Sequence, residues 1–174
     1  RLSPVEIGIG IAGGPAILGG FRAHGHTGYS VNGAAPALAA RIQRLSPQYG
    51  PAVIVCEQTR QGAERGFAFL EVDTIAAGEG APGAGEAGVK LYALLGNPVT
   101  RSSPKFRALQ TFHQHIFQSI RTRQWRKARE LIEQCRKLSG ASQKLYDLHI
   151  ARIAHFEKNP PPPGWDGVFR PILE

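Results

Sequence analysis

Three groups of residues in this chain have the types and spacing to do chemistry. The first is "EIGIGIAGGP", residues 6–15, which carries G-x-G-x-x-G at Gly8, Gly10 and Gly13. A dinucleotide-binding loop of that pattern needs a strand before it, a helix opening at the third glycine and an acidic residue about 20 positions on. Val5, Ile7, Ile9 and Ile11 alternate as a strand should, but Gly13-Gly14-Pro15 and Gly19-Gly20 work against a helix, at about 1 kcal/mol per glycine. No Asp or Glu lies between Glu6 and Glu57. The pyrophosphate reading fails, and glycines inside a strand point instead to close approach by a neighbouring element.

The second group is the six histidines. His24 and His26 share a hairpin tip without a third ligand. His113 and His115, two apart on a helix, point to different faces. His149 and His155 are six apart. No metal site is expected from them. The third group is "SIRTRQWRKARE", residues 119–130, with five basic residues around Trp125. Basic residues holding phosphates beside a stacking aromatic would bind nucleic acid. An indole packing one helix onto the preceding one accounts for the same residues, and no nucleic-acid partner is expected.

The elements that must position these groups change character along the chain. Residues 1–96 hold seven basic and seven acidic residues; residues 97–174 hold fourteen and six, which carries the whole net charge of +8. Such a step marks a boundary between two kinds of structure, so two units are expected, 1–96 and 97–174. The first reads as α/β: a strand at 5–11, hairpin arms at 15–20 and 27–31, a helix over 34–46 with Pro36 in its first turn, and strands at 52–56, 67–77 and 88–96. A Gly/Ala-rich loop, "GEGAPGAGEAG", separates the last two. From Ser103 the apolar period becomes helical. Three helices are predicted, at 103–122, 124–139 and 141–158, the second closed by Gly140. "NPPPPGWDGVFRPILE" then lies extended, anchored by Trp165 and Phe169.

Two cysteines, Cys56 and Cys135, sit in apolar or helical patterns, and no apolar run approaches the roughly 20 residues of a membrane span. A reduced, cytoplasmic protein is expected, with any membrane contact made through an upstream region. The 174 residues include no methionine, as expected of a piece or a processed product of a longer chain.

Two stretches resemble a known family. "IGIAGGPAILGG" followed by "GYSVNGAAPALAARIQRLSPQYG" is similar, without gaps from Ile9 to Tyr49, to the class III adenylate/guanylate cyclases. Those run I-G-I-x-T-G-x-x-x-x-G-N and then Y-[TD]-V-x-G-D-x-V-N-x-A-x-R-L. "YDLHIARIAHFEKNPPPPGWDGVF" looks like the C-terminal extension of many bacterial members. The resemblance implies the second half of a ferredoxin-like cyclase palm, an α+β fold, followed by a helical hairpin-type extension.

For function, the resemblance implies a phosphorus–oxygen lyase. The 3′-hydroxyl of ATP, or less readily GTP, attacks the α-phosphate, a cyclic 3′,5′-nucleotide forms and pyrophosphate leaves, in intracellular signalling. Mg²⁺ or Mn²⁺ would be held by two aspartates of the first half, which have no counterpart here. Active sites would form between two palms of a homodimer. Arg41 takes the position of the transition-state arginine and would bind the nucleotide phosphates. Ser30 takes the purine-reading position, where the family has Asp or Thr. Ala37 stands where the ribose-orienting Asn belongs, and Ala34 where an Asp follows the hairpin glycine. Those alanines leave a second reading open: a catalytically degenerate cyclase-fold module that binds a nucleotide or a protein partner and regulates.

Overall fold

The computed structural model describes residues 7–23, 25–76, 88–138 and 142–168. Its elements follow the order β1 (Ile9–Ile11), β2 (Ile17–Ala23), β3 (His26–Asn32), α1 (Ala34–Tyr49), β4 (Val53–Cys56), α2 (Glu57–Ala63), β5 (Ala68–Ile75), β6 (Val89–Gly96), α3 (Pro98–Ser102), α4 (Pro104–Arg121), α5 (Trp125–Leu138) and α6 (Gln143–Lys158). Strands and helices therefore mix as expected, and the fold is α/β, with a four-stranded mixed sheet of order β1-β4-β6-β5. β1 and β4 run parallel across the α1 connection, and β6 pairs antiparallel with both β4 and β5.

The glycines of the opening motif explain how α1 sits on this sheet. A Cβ on Gly10 would lie 2.3 Å from the Ala39 carbonyl oxygen and 2.5 Å from the Gln43 nitrogen, and one on Gly8 would lie 2.1 Å from Ser46 Oγ. Only bare backbone lets the helix come this near. In line with Gly10 on that face are Ile54, Ala93 and Leu70, all buried. α1 itself runs through Pro47, past the expected end at residue 46. Proline has no N–H to give the Gln43 carbonyl, and the Ser46 hydroxyl donates to that oxygen instead, at 2.9 Å.

The hairpin β2–β3 forms a sheet of its own, with longer arms and a tighter turn than predicted. Its side chains meet little else: Ile17, Leu18, Phe21, Tyr29 and Val31 are all more than half exposed. It enters α1 through Gly33, whose φ of 128° is a conformation suited to glycine.

Two short helices escaped the sequence reading. α2 has no buried residue and so no apolar period to betray it. α3 is started by Asn97, whose Oδ1 accepts from the backbone of Val99 and Thr100, with Pro98 at the first helical position. The three long helices fall where predicted. Ser103 caps α4 by accepting from Phe106 N at 3.2 Å. One apolar cluster runs from Leu38 and Ile42 of α1 through Leu70 and Leu91 of the sheet to Phe106, Ile132 and Ile153 of α4, α5 and α6. The Gly/Ala loop over 77–87, His24, Gly140 and Phe169 lie outside the described residues.

Candidate functional site

Arg41 lies on the second turn of α1, half-buried, and Nη1 donates to the Ala76 carbonyl at 2.6 Å, just past the end of β5. Ala37, one turn earlier on the same face, is exposed. Ser30 lies on β3, part-covered, opposite Gly19 of β2. Asn32 shares its face of the hairpin, and Nδ2 donates to Ser30 Oγ at 3.3 Å. No hydrogen bond among the described residues joins Ser30 to Arg41; each belongs to its own element.

The densest polar cluster is one that the sequence reading missed. β5 is an edge strand, and its outer carbonyls need donors. The helices of the C-terminal segment supply them. Gln110 Nε2 donates to Phe69 O at 3.2 Å, His113 Nδ1 to Glu71 O at 2.7 Å, and His149 Nε2 to Val72 O at 2.9 Å. Because a carbonyl only accepts, His113 carries its proton on Nδ1, and Nε2 is left to accept from the Tyr146 hydroxyl at 3.1 Å.

A bulge in β5 makes this possible. Glu71 pairs with Tyr92 and Asp73 with Leu91, so Val72 is the extra residue. Val72 and Asp73, which a regular strand would point to opposite faces, are both buried. The Asp73 carboxylate accepts from Tyr49 at 2.7 Å, from Arg152 Nη1 at 2.8 Å and from Thr74 N at 2.9 Å. Three elements, α1, β5 and α6, thus meet on one buried carboxylate.

The chemistry of this cluster is that of a structural joint. Burial pushes both imidazoles down to about 4, so they stay neutral. Burial first, then the neighbouring Asp73 charge, raises the Tyr49 phenol. The three donors to Asp73, from Tyr49, Arg152 and the Thr74 backbone, all come from inside the protein. A signal for the joint was present in the sequence: His113 and His149 both fall on the apolar stripes of their helices, where a polar ring needs a partner.

The basic stretch around Trp125 is also tied up locally. The indole stacks on Phe156 with centroids 5.7 Å apart and sits 6.5 Å from Trp165. Trp125 therefore joins α5 to α6 and to the proline-rich tail, and it packs against the core cluster to which α4 contributes Phe117 and Ile120. Arg123 donates to Pro162 O, Arg129 pairs with Glu157, and Arg126 with Glu130.

No group of three His, Cys, Asp or Glu side chains comes together to hold a metal among the described residues. No helix among them is long and apolar enough to cross a membrane. Cys56 and Cys135 are free and buried.

No protein-family model matches the chain, and no curated protein does. Among solved structures, a bacterial light-regulated adenylyl cyclase is similar, with 15% sequence identity and a TM-score of 0.40 over 60% of this chain. The chain spans 28% of the length of that one.

Proposed function

We propose that this chain is the second half of a class III nucleotidyl cyclase catalytic domain together with its helical extension. The observation that carries the proposal is the stretch Tyr29–Arg41. The family pattern needs a hairpin strand, a glycine and a helix with its arginine on the second turn, and strand β3, Gly33 and α1 have that arrangement. In this reading the substrate is ATP, with GTP second, and the products are the cyclic 3′,5′-monophosphate and pyrophosphate.

Arg41 is the residue that acts on the phosphates. Its one hydrogen bond among the described residues goes to a neutral carbonyl, so an anionic oxygen competes for it with the stronger, charge-assisted bond. In the transition state the guanidinium offsets charge developing on the α-phosphate. Ser30, its hydroxyl oxygen accepting from Asn32, keeps its proton to donate to the purine edge. The exposed apolar side chains of β2–β3 are the surface through which a second palm would complete the site.

The metal chemistry does not come from these residues. Asp73 is committed to three donors, and Glu57 holds Arg60 and Gln61 through Oε1. Mg²⁺ or Mn²⁺ would bind carboxylates of an upstream half. Ala37, which is exposed, and Ala34, which is half-buried, favour the second reading, a cyclase-shaped module that binds without turnover.

A cyclase assay on the longer chain with an upstream half, supplied with ATP or GTP and Mn²⁺ and read by mass spectrometry, separates the two. Cyclic nucleotide that falls by a factor of about 10²–10³ on Arg41→Ala supports the enzyme. Saturable nucleotide binding with no product refutes it in favour of the module.

A further inference from the structure

The face of the sheet opposite α1 carries a second polar feature, distant in the fold from Arg41 and Ser30. A cavity of about 270 Å³ lies between α2, β5, β6 and the middle of α4, and its lining includes Glu57, Arg60, Glu71, Lys90, Tyr92 and Gln110. Most of its charges are already matched. Arg60 pairs with Glu57 at 2.9 Å and Glu64 at 3.3 Å, and its guanidinium lies 5.0 Å from the centre of the Tyr92 ring. Glu71 and Lys90 are different.

They sit on neighbouring strands: Glu71 is opposite Tyr92, and Lys90 lies two residues before Tyr92 on the same face. Both line the cavity, yet they form no ion pair with each other and no side-chain hydrogen bond with any described residue. Glu71 Oε1 is closed off from water with no partner. Burial raises the Glu71 carboxyl, with Lys90 opposing. The positive charges that act on Glu71 are Lys90, Arg121 and Arg60, none of them hydrogen-bonded to it, and the β5 bulge engages only the Glu71 backbone. An unmatched carboxyl beside a polar cavity marks a binding group.

We infer that this cavity binds a small zwitterion, with its ammonium on Glu71 and its carboxylate on Lys90. Diagonal neighbours on paired strands are about 7–8 Å apart at the backbone, so the ligand's charges stand farther apart than in an α-amino acid. Gln110 gives its amide N–H to Phe69 and has an oxygen left to accept a second ammonium hydrogen. Because Gln110 belongs to α4 and Glu71 to β5, the ligand would bridge the sheet and the helices docked on its edge.

The test is isothermal titration calorimetry on the chain itself, with 4-aminobutyrate as probe and butylamine and butyrate as single-charge controls. It reads binding and needs no cyclase activity. Saturable binding of 4-aminobutyrate at least tenfold tighter than either control, and weakened at least tenfold in both Glu71→Gln and Lys90→Gln, is the expected result. Circular dichroism checks that each variant keeps the fold. The inference is overturned if 4-aminobutyrate fails to saturate, if butylamine binds as well, or if either folded variant binds as the parent does.

Discussion

Acid should unlatch the C-terminal helices from the sheet, and the amount can be worked out. His113 and His149 are buried, each spends one ring N–H on a β5 carbonyl, and each is held neutral down to about 4 against 6.5 in an unfolded chain. Their surroundings give a new proton little help: His113 faces Tyr146 and Phe117, and His149 faces Phe117, the Asp73 carboxylate and the Arg152 guanidinium.

The folded pKa lies below the unfolded one, so the unfolded chain binds more protons between them. Stability is therefore complete above about pH 6.5, falls as the pH drops toward 4, and levels off below that for these two groups. At 1.36 kcal/mol per unit, each ring costs about 2 kcal/mol at pH 5, or about 4 kcal/mol for the pair. That is a large share of the 5–15 kcal/mol typical of a domain.

Urea titrations followed by circular dichroism at pH 8, 6 and 5 give the slope, and the double variant His113→Gln/His149→Gln supplies the baseline from all other groups. Glutamine still offers an N–H to a carbonyl but does not titrate. The parent should lose about 4 kcal/mol more than the double variant between pH 8 and pH 5. Equal losses in the two proteins would refute the assignment of both rings as buried and neutral.

Two further outcomes follow from the packing around α1 and β5. Arg152→Met strands the Asp73 carboxylate in a buried site and should cost about 3–5 kcal/mol in the same urea assay, with much of it recovered when Asp73→Asn is added. Gly10→Ala places a methyl 2.3 Å from a helix carbonyl and should cost about 3 kcal/mol, whereas Gly19→Ala, where nothing lies within 4 Å, should stay within about 0.5 kcal/mol.

What the sequence disclosed and what it hid divide along a physical line. Features written into a local stretch were legible: the helical period from Phe106 to Ile120, the Ser103–Pro104 start of α4, and the glycines of β1 as places of close approach. The helix expected over 34–46 runs on through Pro47 to Tyr49, because the Ser46 hydroxyl takes up the carbonyl three residues back that the proline cannot serve. α2 was missed because a helix that buries nothing has no apolar stripe. For the candidate site, the resemblance assigned Arg41 and Ser30 by alignment, but the partner of Arg41 is the carbonyl of Ala76, 35 residues away and named by no local pattern.

The histidines show the same division more sharply. Their spacing was read for metal ligation, a question about side chains meeting one another, and it pointed to none. Their work is to meet a backbone. An edge strand exposes a row of acceptors whatever its side chains are, and any donor on a helix laid along it will serve. Gln110, His113 and His149 therefore need no mutual spacing; they need the positions that face β5, and the bulge at Val72 sets one of those. The bulge is in turn useful only because Tyr49 and Arg152 close on the Asp73 that it turns inward. Each of these residues is explained by an element that is remote in sequence, so the helices of residues 97–174 act as the missing neighbour of β5, hydrogen bond by hydrogen bond.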